Sequence, residues 1–251
     1  MRFIGTFTRR SSRCSADFSS RRKRRGRAVT LTEPACRAVV FDLDGTLIDS
    51  VPDIAAAVNR MLEQNGPEPF AGASGERLIG NGSRVLMEGV FAELGVTADD
   101  RLLERALQSY LAFYEAAPAV KTKLFPHVRQ DLGTLGDCGL RLGICTNKTH
   151  RLAQRVLREL RLDRRFEVVL GADAVANRKP HAGHLLAVIS AMRLETSEVI
   201  YVGDSAVDQQ CARDAGVRFC AVNWGAGTAD ECAQRIARLA DINNLTGSGL
   251  R

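Results

Sequence analysis

From Phe125 onward the chain repeats one pattern: a short apolar run, a turn, then a stretch with apolar residues at helical spacing. The runs are LRLGICT (Leu140 to Thr146), FEVVLGAD (Phe166 to Asp173), EVIYVGD (Glu198 to Asp204) and RFCAV (Arg218 to Val222). Strands that alternate with helices in this way are joined by crossovers, lie parallel in one sheet and carry the helices on its faces. An earlier run, Val39 to Phe41, follows Ala38 without polar alternation, as a strand buried on both faces does. It belongs to the same sheet.

Between that first strand and Phe125 the period changes. IAAAVNRMLEQNG predicts a helix that begins near Pro52-Asp53 and ends at Gly66. SGERLIGNGSRVLMEGVFAELG predicts one or two helices broken at Gly80-Asn81-Gly82, and DDRLLERALQSYLAFYEAA another. No strand signal interrupts them. The expected architecture is α/β: a Rossmann-like parallel sheet flanked by helices, with an all-helical cap inserted after the first strand. The boundaries expected are a tail over 1–35, a core of 36–50 and 119–251, and a cap over 51–118. The segment from Asn243 to Arg251 reads as a loose terminus.

With 251 residues, 45% of them hydrophobic, the chain can bury one sizeable core and a smaller second domain. Its net charge of +6 is unevenly spread. Residues 1–30 hold ten of the 35 basic residues and one acid, Asp17, so the tail carries +9 and the remainder −3. The tail, rich in Ser and Arg, reads as disordered. RRKRR (Arg21 to Arg25) resembles a nuclear signal or a nucleic-acid patch, and the composition resembles an organelle transit peptide. A solvated tail, or translation starting near Val29, is the simpler reading. For the folded core no nucleic-acid partner is expected.

The seven cysteines are odd in number and form no C-x-x-C pair, so a reducing compartment and no structural zinc are expected. Cys138 and Cys145 read as buried small hydrophobes. No apolar run approaches transmembrane length, and a cytoplasmic protein without a membrane partner is expected, as monomer or homodimer.

The stretch VVFDLDGTLIDS sets Asp42 and Asp44 at the carboxyl end of a buried strand, where open α/β sheets collect ligands. Two aspartates so close cost several kcal/mol unless cations or hydrogen-bond donors compensate. Later segments bring Thr146-Asn147, Lys179, Gly203-Asp204-Ser205 and Asp208 to the same edge. Carboxylates, a lysine, a hydroxyl and free backbone amides suit magnesium-assisted phosphoryl transfer, because Mg²⁺ takes oxygen ligands and keeps some of its waters.

DLDGT, CTN, RKP and GDSAVD, in that order, resemble the four motifs of the haloacid dehalogenase-like phosphatases, over about residues 36–225. GNG in the insert, TNK (Thr146 to Lys148) and the insert's position look most similar to the phosphoglycolate phosphatases among them. The resemblance implies that Asp42 is the nucleophile and Asp44 the general acid and base. Thr146 and Asn147 would hold phosphoryl oxygens, Lys179 would balance charge, and Mg²⁺ would bind Asp42, Asp204 and the backbone carbonyl of Asp44. Ser205 would stand behind these ligands, and Asp208 would either do the same or bind a water of the Mg²⁺. Two departures from the family pattern are Pro126-His127, where Pro-Gly is usual, and Ala182, where a proline is usual.

A small phosphorylated metabolite, 2-phosphoglycolate, is the expected substrate. The cap would supply Gly80, Asn81, Gly82 and Arg84 for its carboxylate. Sugar-phosphate hydrolysis and phosphomutase chemistry use the same core and remain open, as does a phosphoacceptor signalling module. Binding of nucleic acid through the basic tail is a further alternative. A receiver-type module, however, would place its acceptor aspartate after a middle strand in sequence and would lack the insert. His181 and His184 have ligand-like spacing but no third ligand, so a surface or half-buried pair is expected rather than a metal site. Trp224 reads as a packing residue at the sheet edge.

Overall fold

A computed structural model describes residues 36–65, 80–225, 229 and 234–246. The basic tail, Gly66 and residues 74–79 of the second helical stretch lie outside them. The chain runs through β1 (Ala38–Phe41), β2 (Ile48–Asp49), α1 (Val51–Asn65), α2 (Ser83–Glu93), α3 (Asp100–Ala116), β3 (Lys123–Leu124) and α4 (Val128–Asp137). It continues through β4 (Arg141–Cys145), α5 (His150–Glu159), β5 (Val168–Leu170), α6 (Ala182–Ala191), β6 (Val199–Gly203), α7 (Ala206–Ala215), β7 (Arg218–Val222) and β8 (Arg235–Ile236).

Six strands form one parallel sheet in the order β5-β4-β1-β6-β7-β8, so the first strand is central, between β4 and β6. Alternation of side chains along β1 divides the core in two. Val39 and Phe41 join Leu132 and Leu135 of α4 and Leu152 and Val156 of α5. Ala38 and Val40 join Leu185 and Val188 of α6 and Cys211 and Ala212 of α7. Each large apolar side chain so buried contributes about 1.5–3 kcal/mol. A strand buried on both faces has no use for polar alternation, which is why AVVF reads as a continuous run.

The helices between β2 and β3 are those the sequence predicts, with α3 packed against both α1 and α2. Unexpected is the antiparallel pair formed by β2 and β3, with Ile48 opposite Leu124 and Asp49 opposite Lys123. At two residues each, these strands carry no legible periodicity. Asp53, in the first turn of α1, ties both ends of the insertion together. Its carboxylate accepts from Lys121 N (2.9 Å), Thr122 N (2.7 Å) and Thr122 Oγ1 (2.7 Å).

Three expectations are corrected. The final segment is not all loose: a 3₁₀ helix over Leu239–Leu245 buries Leu239 and Ile242, so the ordered chain extends past Asn243. Residues beyond Thr246 lie outside the description. Cys145 is buried as expected, but Cys138 is only half-buried, since it follows α4 at the surface end of the turn into β4. His184 is fully buried rather than half-exposed. The five described cysteines form no disulfide, and no described helix is long and apolar enough to cross a membrane.

Candidate active site

The loops after β1, β4, β5 and β6 meet at the carboxyl edge of the sheet. Asp42 follows β1 directly, and its amide donates to Val202 O of β6 at 2.8 Å, so the sheet itself fixes the carboxylate. Thr146 follows β4 and is held in the same way, its amide donating to Leu170 O at 3.1 Å. Asp204 follows β6, and Asp208 sits in the first turn of α7. Ser205 caps that helix: its hydroxyl accepts from Asp208 N, and its own amide donates to Asp208 Oδ2.

Lys179 is the charge centre of this edge. Its ammonium lies 2.8 Å from Asp42 Oδ1, 2.6 Å from Asp208 Oδ1 and 3.0 Å from the Tyr201 hydroxyl. Burial opposes its charge, yet Asp208 and Asp42 outweigh burial and hold its pKa above the ordinary lysine value. Asp208 responds in kind. Burial raises it, but the charge and hydrogen bonds of Lys179, helped by Ser205 and Tyr201, bring its pKa below the usual carboxylate value.

Asp42 and Asp204 are less well compensated. Burial pushes Asp42 up to about 7 in spite of Lys179, and the charges of Asp208 and Asp44 add to the rise. Burial and the charges of Asp208 and Asp42 push Asp204 up to about 8. Carboxylate oxygens of Asp42, Asp204 and Asp208 all lie within 4.8 Å of one another, against one ammonium. The oxygens of Asp208 are already engaged by Lys179, Tyr201 and Ser205, which leaves Asp42 and Asp204 facing each other short of positive charge. An all-oxygen donor set with excess negative charge fits a hard divalent cation such as Mg²⁺.

Two glycines keep that space open. Gly45 has φ +84°, and a Cβ there would collide with Asp204 Oδ2; Gly225 has φ +88°, and its Cβ would collide with Gly45 O. Thr46 Oγ1 donates to Asp204 Oδ1 at 3.2 Å, and Trp224 Nε1 donates to Thr46 O at 2.9 Å. Trp224 is therefore half-buried packing, tilted against Phe125, that also pins the loop after β1.

The insertion closes over the edge. Asp42, Asp44, Thr146, Asn147, Gly80, Gly82, Ser83, Leu86 and Tyr114 help line a cavity with about 40 Å³ of free volume. Asn147 links the two parts: its side-chain nitrogen donates to Gly80 O (2.9 Å) and Lys179 O (3.1 Å), while its buried Oδ1 has no partner among the described residues. Gly82 has φ +92°, so the GNG segment favours glycine there for its backbone conformation, whereas a Cβ would meet only the movable end of Arg178, at 2.7 Å from Nη1. Asn81 lies between the two glycines, partly exposed.

Arg84 is placed elsewhere. Its guanidinium meets Glu88 at 3.3 Å, Asp100 at 3.0 Å and Glu104 at 3.8 Å, a network between α2 and α3. Its acidic neighbours on the two helices take up the charge the sequence reading offered to a substrate. His181 and His184 hold no joint site. His181 Nδ1 accepts from Gly183 N and caps α6, whereas His184 bonds Lys179 N and Leu170 O. Burial, with Lys179 adding to it, lowers His184 to about 4. His127 adopts φ 65°, the left-handed region glycine favours, so the turn into α4 keeps that backbone conformation without the glycine.

Residues 39–222 match the family model for the haloacid dehalogenase-like hydrolases. The chain belongs to that family. Among curated relatives it is 40% identical over 187 residues to a phosphoglycolate phosphatase of Cereibacter sphaeroides, covering 74% of this chain and 85% of the relative. It is 37% identical over 195 residues to one of Xanthomonas campestris, covering 78% and 86%. A subfamily IA hydrolase of this superfamily from Geobacter sulfurreducens superposes with a TM-score of 0.64 at 29% identity, covering 84% of this chain and 100% of the other.

Within this haloacid dehalogenase-like hydrolase three side chains were given no role from sequence, although Lys148 closes the TNK motif. Tyr201 lies inside the apolar run VIYVG, and its hydroxyl, buried in a strand, had to find partners. Lys148 and Tyr114 meet each other and Asp44: Lys148 Nζ is 2.8 Å from Asp44 Oδ1 and 2.9 Å from the Tyr114 hydroxyl. A lysine immediately past a buried strand was a legible signal. The tyrosine, one of several apolar positions on α3, was not.

Proposed function

We propose that this enzyme is a Mg²⁺-dependent phosphomonoester hydrolase whose substrate is 2-phosphoglycolate. The observation that carries the reading is the Asp42 carboxylate at the end of the central strand, paired with Lys179 and sharing a cavity with Asp44 and Thr146. The names of the relatives support the choice of substrate, and the small cavity favours a short one.

Asp42 attacks phosphorus to form an aspartyl phosphate, and Asp44 protonates the departing alkoxide oxygen. Asp44 then takes a proton from the water that cleaves the intermediate. Lys179 offsets the charge that would otherwise repel the phosphate from Asp42. Thr146 holds a phosphoryl oxygen through its hydroxyl. Asn147, its amide nitrogen already bonded to two carbonyls, holds the GNG segment against the Lys179 loop. Asp42 and Asp204, with the backbone carbonyl of Asp44, are the ligands for Mg²⁺, which when bound supplies electrostatic stabilisation of the transferring phosphoryl group. The division into core and cap assigns attack to the former and exclusion of water to the latter.

The test is a phosphate-release screen over small phosphoesters with Mg²⁺ and with chelator. Phosphoglycolate should rank first and chelation should abolish turnover. Higher turnover of sugar phosphates would replace the substrate, and an isomeric sugar phosphate formed without phosphate release would replace hydrolase with mutase.

A further inference from the structure

The cavity beside Asp42 contains one cation that the reaction steps above leave without a role. Lys148 is buried, its side chain 4% exposed, and its ammonium sits 2.8 and 3.0 Å from the two oxygens of Asp44. It also lies 2.9 Å from the Tyr114 hydroxyl and 4.6 Å from the centre of that ring. Among the described residues lining the cavity it is the sole lysine or arginine. Lys179 faces Asp42 and Asp208 instead, and Arg84 is engaged by three acids of α2 and α3.

We propose that Lys148 is the specificity residue that binds the carboxylate of the substrate. The inference rests on the reading of this enzyme as a phosphoglycolate phosphatase. In that substrate the carboxylate carbon is two bonds from the bridging oxygen, the atom to which Asp44 delivers its proton. A group hydrogen-bonded to Asp44 therefore stands where the carboxylate must lie. No other described lining residue offers a second cation: Ile54, Leu86 and Leu152 are apolar, and Ser83 and Tyr110 contribute neutral hydroxyls. When Asp44 engages the leaving oxygen, Lys148 exchanges part of that contact for the incoming carboxylate, and a buried cation always requires such a partner. A phosphomonoester that carries a neutral group in place of the carboxylate leaves Lys148 with nothing to exchange, which is how a buried polar site rejects an analogue. Tyr114, which comes from α3, holds the lysine from the insertion side, so recognition requires the insertion to be closed.

The test compares 2-phosphoglycolate with 2-hydroxyethyl phosphate, which replaces the carboxylate by a neutral alcohol, in wild type, Lys148→Met and Lys148→Arg. Wild type should prefer phosphoglycolate in kcat/KM. Both substrates should turn over more slowly in Lys148→Met, because Asp44 loses a partner, but the preference ratio should fall by about 100-fold, chiefly through the KM for phosphoglycolate. Lys148→Arg should retain much of the ratio. Lys148→Gln, which can still hydrogen-bond Asp44, replaces the methionine variant if that protein does not fold. An unchanged ratio in the neutral variants would overturn the inference while leaving the substrate assignment in place. Absence of a preference in wild type would remove the substrate assignment and the inference with it.

Discussion

The Tyr201 hydroxyl donates to Asp208 Oδ1 at 2.7 Å, the same oxygen that holds the Lys179 ammonium at 2.6 Å. Tyr201 thus positions Lys179 against Asp42 without facing the cavity. Tyr201→Phe should lower kcat by about 10-fold with little change in KM, and should cost about 1.5–3 kcal/mol of stability, the net worth of a hydrogen bond to a charged group. Steady-state kinetics and thermal unfolding measure both. A full kcat would show that Lys179 keeps its place without the hydroxyl.

Asp42→Asn should fold, since the amide is nearly isosteric, yet it cannot attack phosphorus. The expected loss is about 1000-fold or more in kcat, or about 4 kcal/mol of barrier. Turnover comparable to wild type would reject the covalent mechanism. Asp44→Asn should retain aspartyl-phosphate formation for esters with good leaving groups, visible as a burst of alcohol release.

Gly45→Ala tests the space beside Asp204. The substitution brings strain at φ +84° and a Cβ against the Asp204 carboxylate. The Mg²⁺ concentration for half-maximal activity should rise by about 10-fold or more, in line with losses on disturbing the surroundings of a metal ligand. An unaltered Mg²⁺ dependence would place the cation elsewhere.

Stability without metal should depend on pH with a definite sign. Asp42 and Asp204 are raised from 3.8 to about 7 and about 8, so the folded protein holds protons that the unfolded chain has already released. Stability must then fall as pH rises towards these values. His184, lowered from 6.5 to about 4, acts in the opposite direction: its contribution is lost only as pH falls below 6.5. Between pH 6.5 and pH 8, therefore, the melting temperature of chelated protein should decrease. Added Mg²⁺ should raise it more at pH 8 than at pH 6.5, because the cation compensates carboxylates that are then ionised. A rising melting temperature of the chelated protein over that interval would contradict the assignment.

The sheet was legible because burial on both faces imposes long apolar runs, and AVVF, LGIC and VIYVG have few other stable uses. Asp42, Asp44 and Asp204 were legible for a related reason: charge at the end of such a run demands a partner. The helices of the insertion followed from their spacing, with α3 starting at Asp100 as DDRLLER suggested.

Other features depended on what the folded chain brought together. Arg84 stood as a candidate for the substrate carboxylate in sequence, but α2 and α3 pack so that three acids reach it. The β2–β3 pair joins residues 74 and 76 positions apart and the Asp53 clasp residues 69 apart, and two-residue strands leave no pattern. Lys148, Tyr114 and Asp44 come from three separate segments and meet only when the insertion lies on the core. Sequence by itself determined which groups the chain must bury and compensate, because desolvation cost belongs to the residue. Tertiary structure decided which partner compensates each, because charge pairing falls off within a few ångströms and only packing sets those distances.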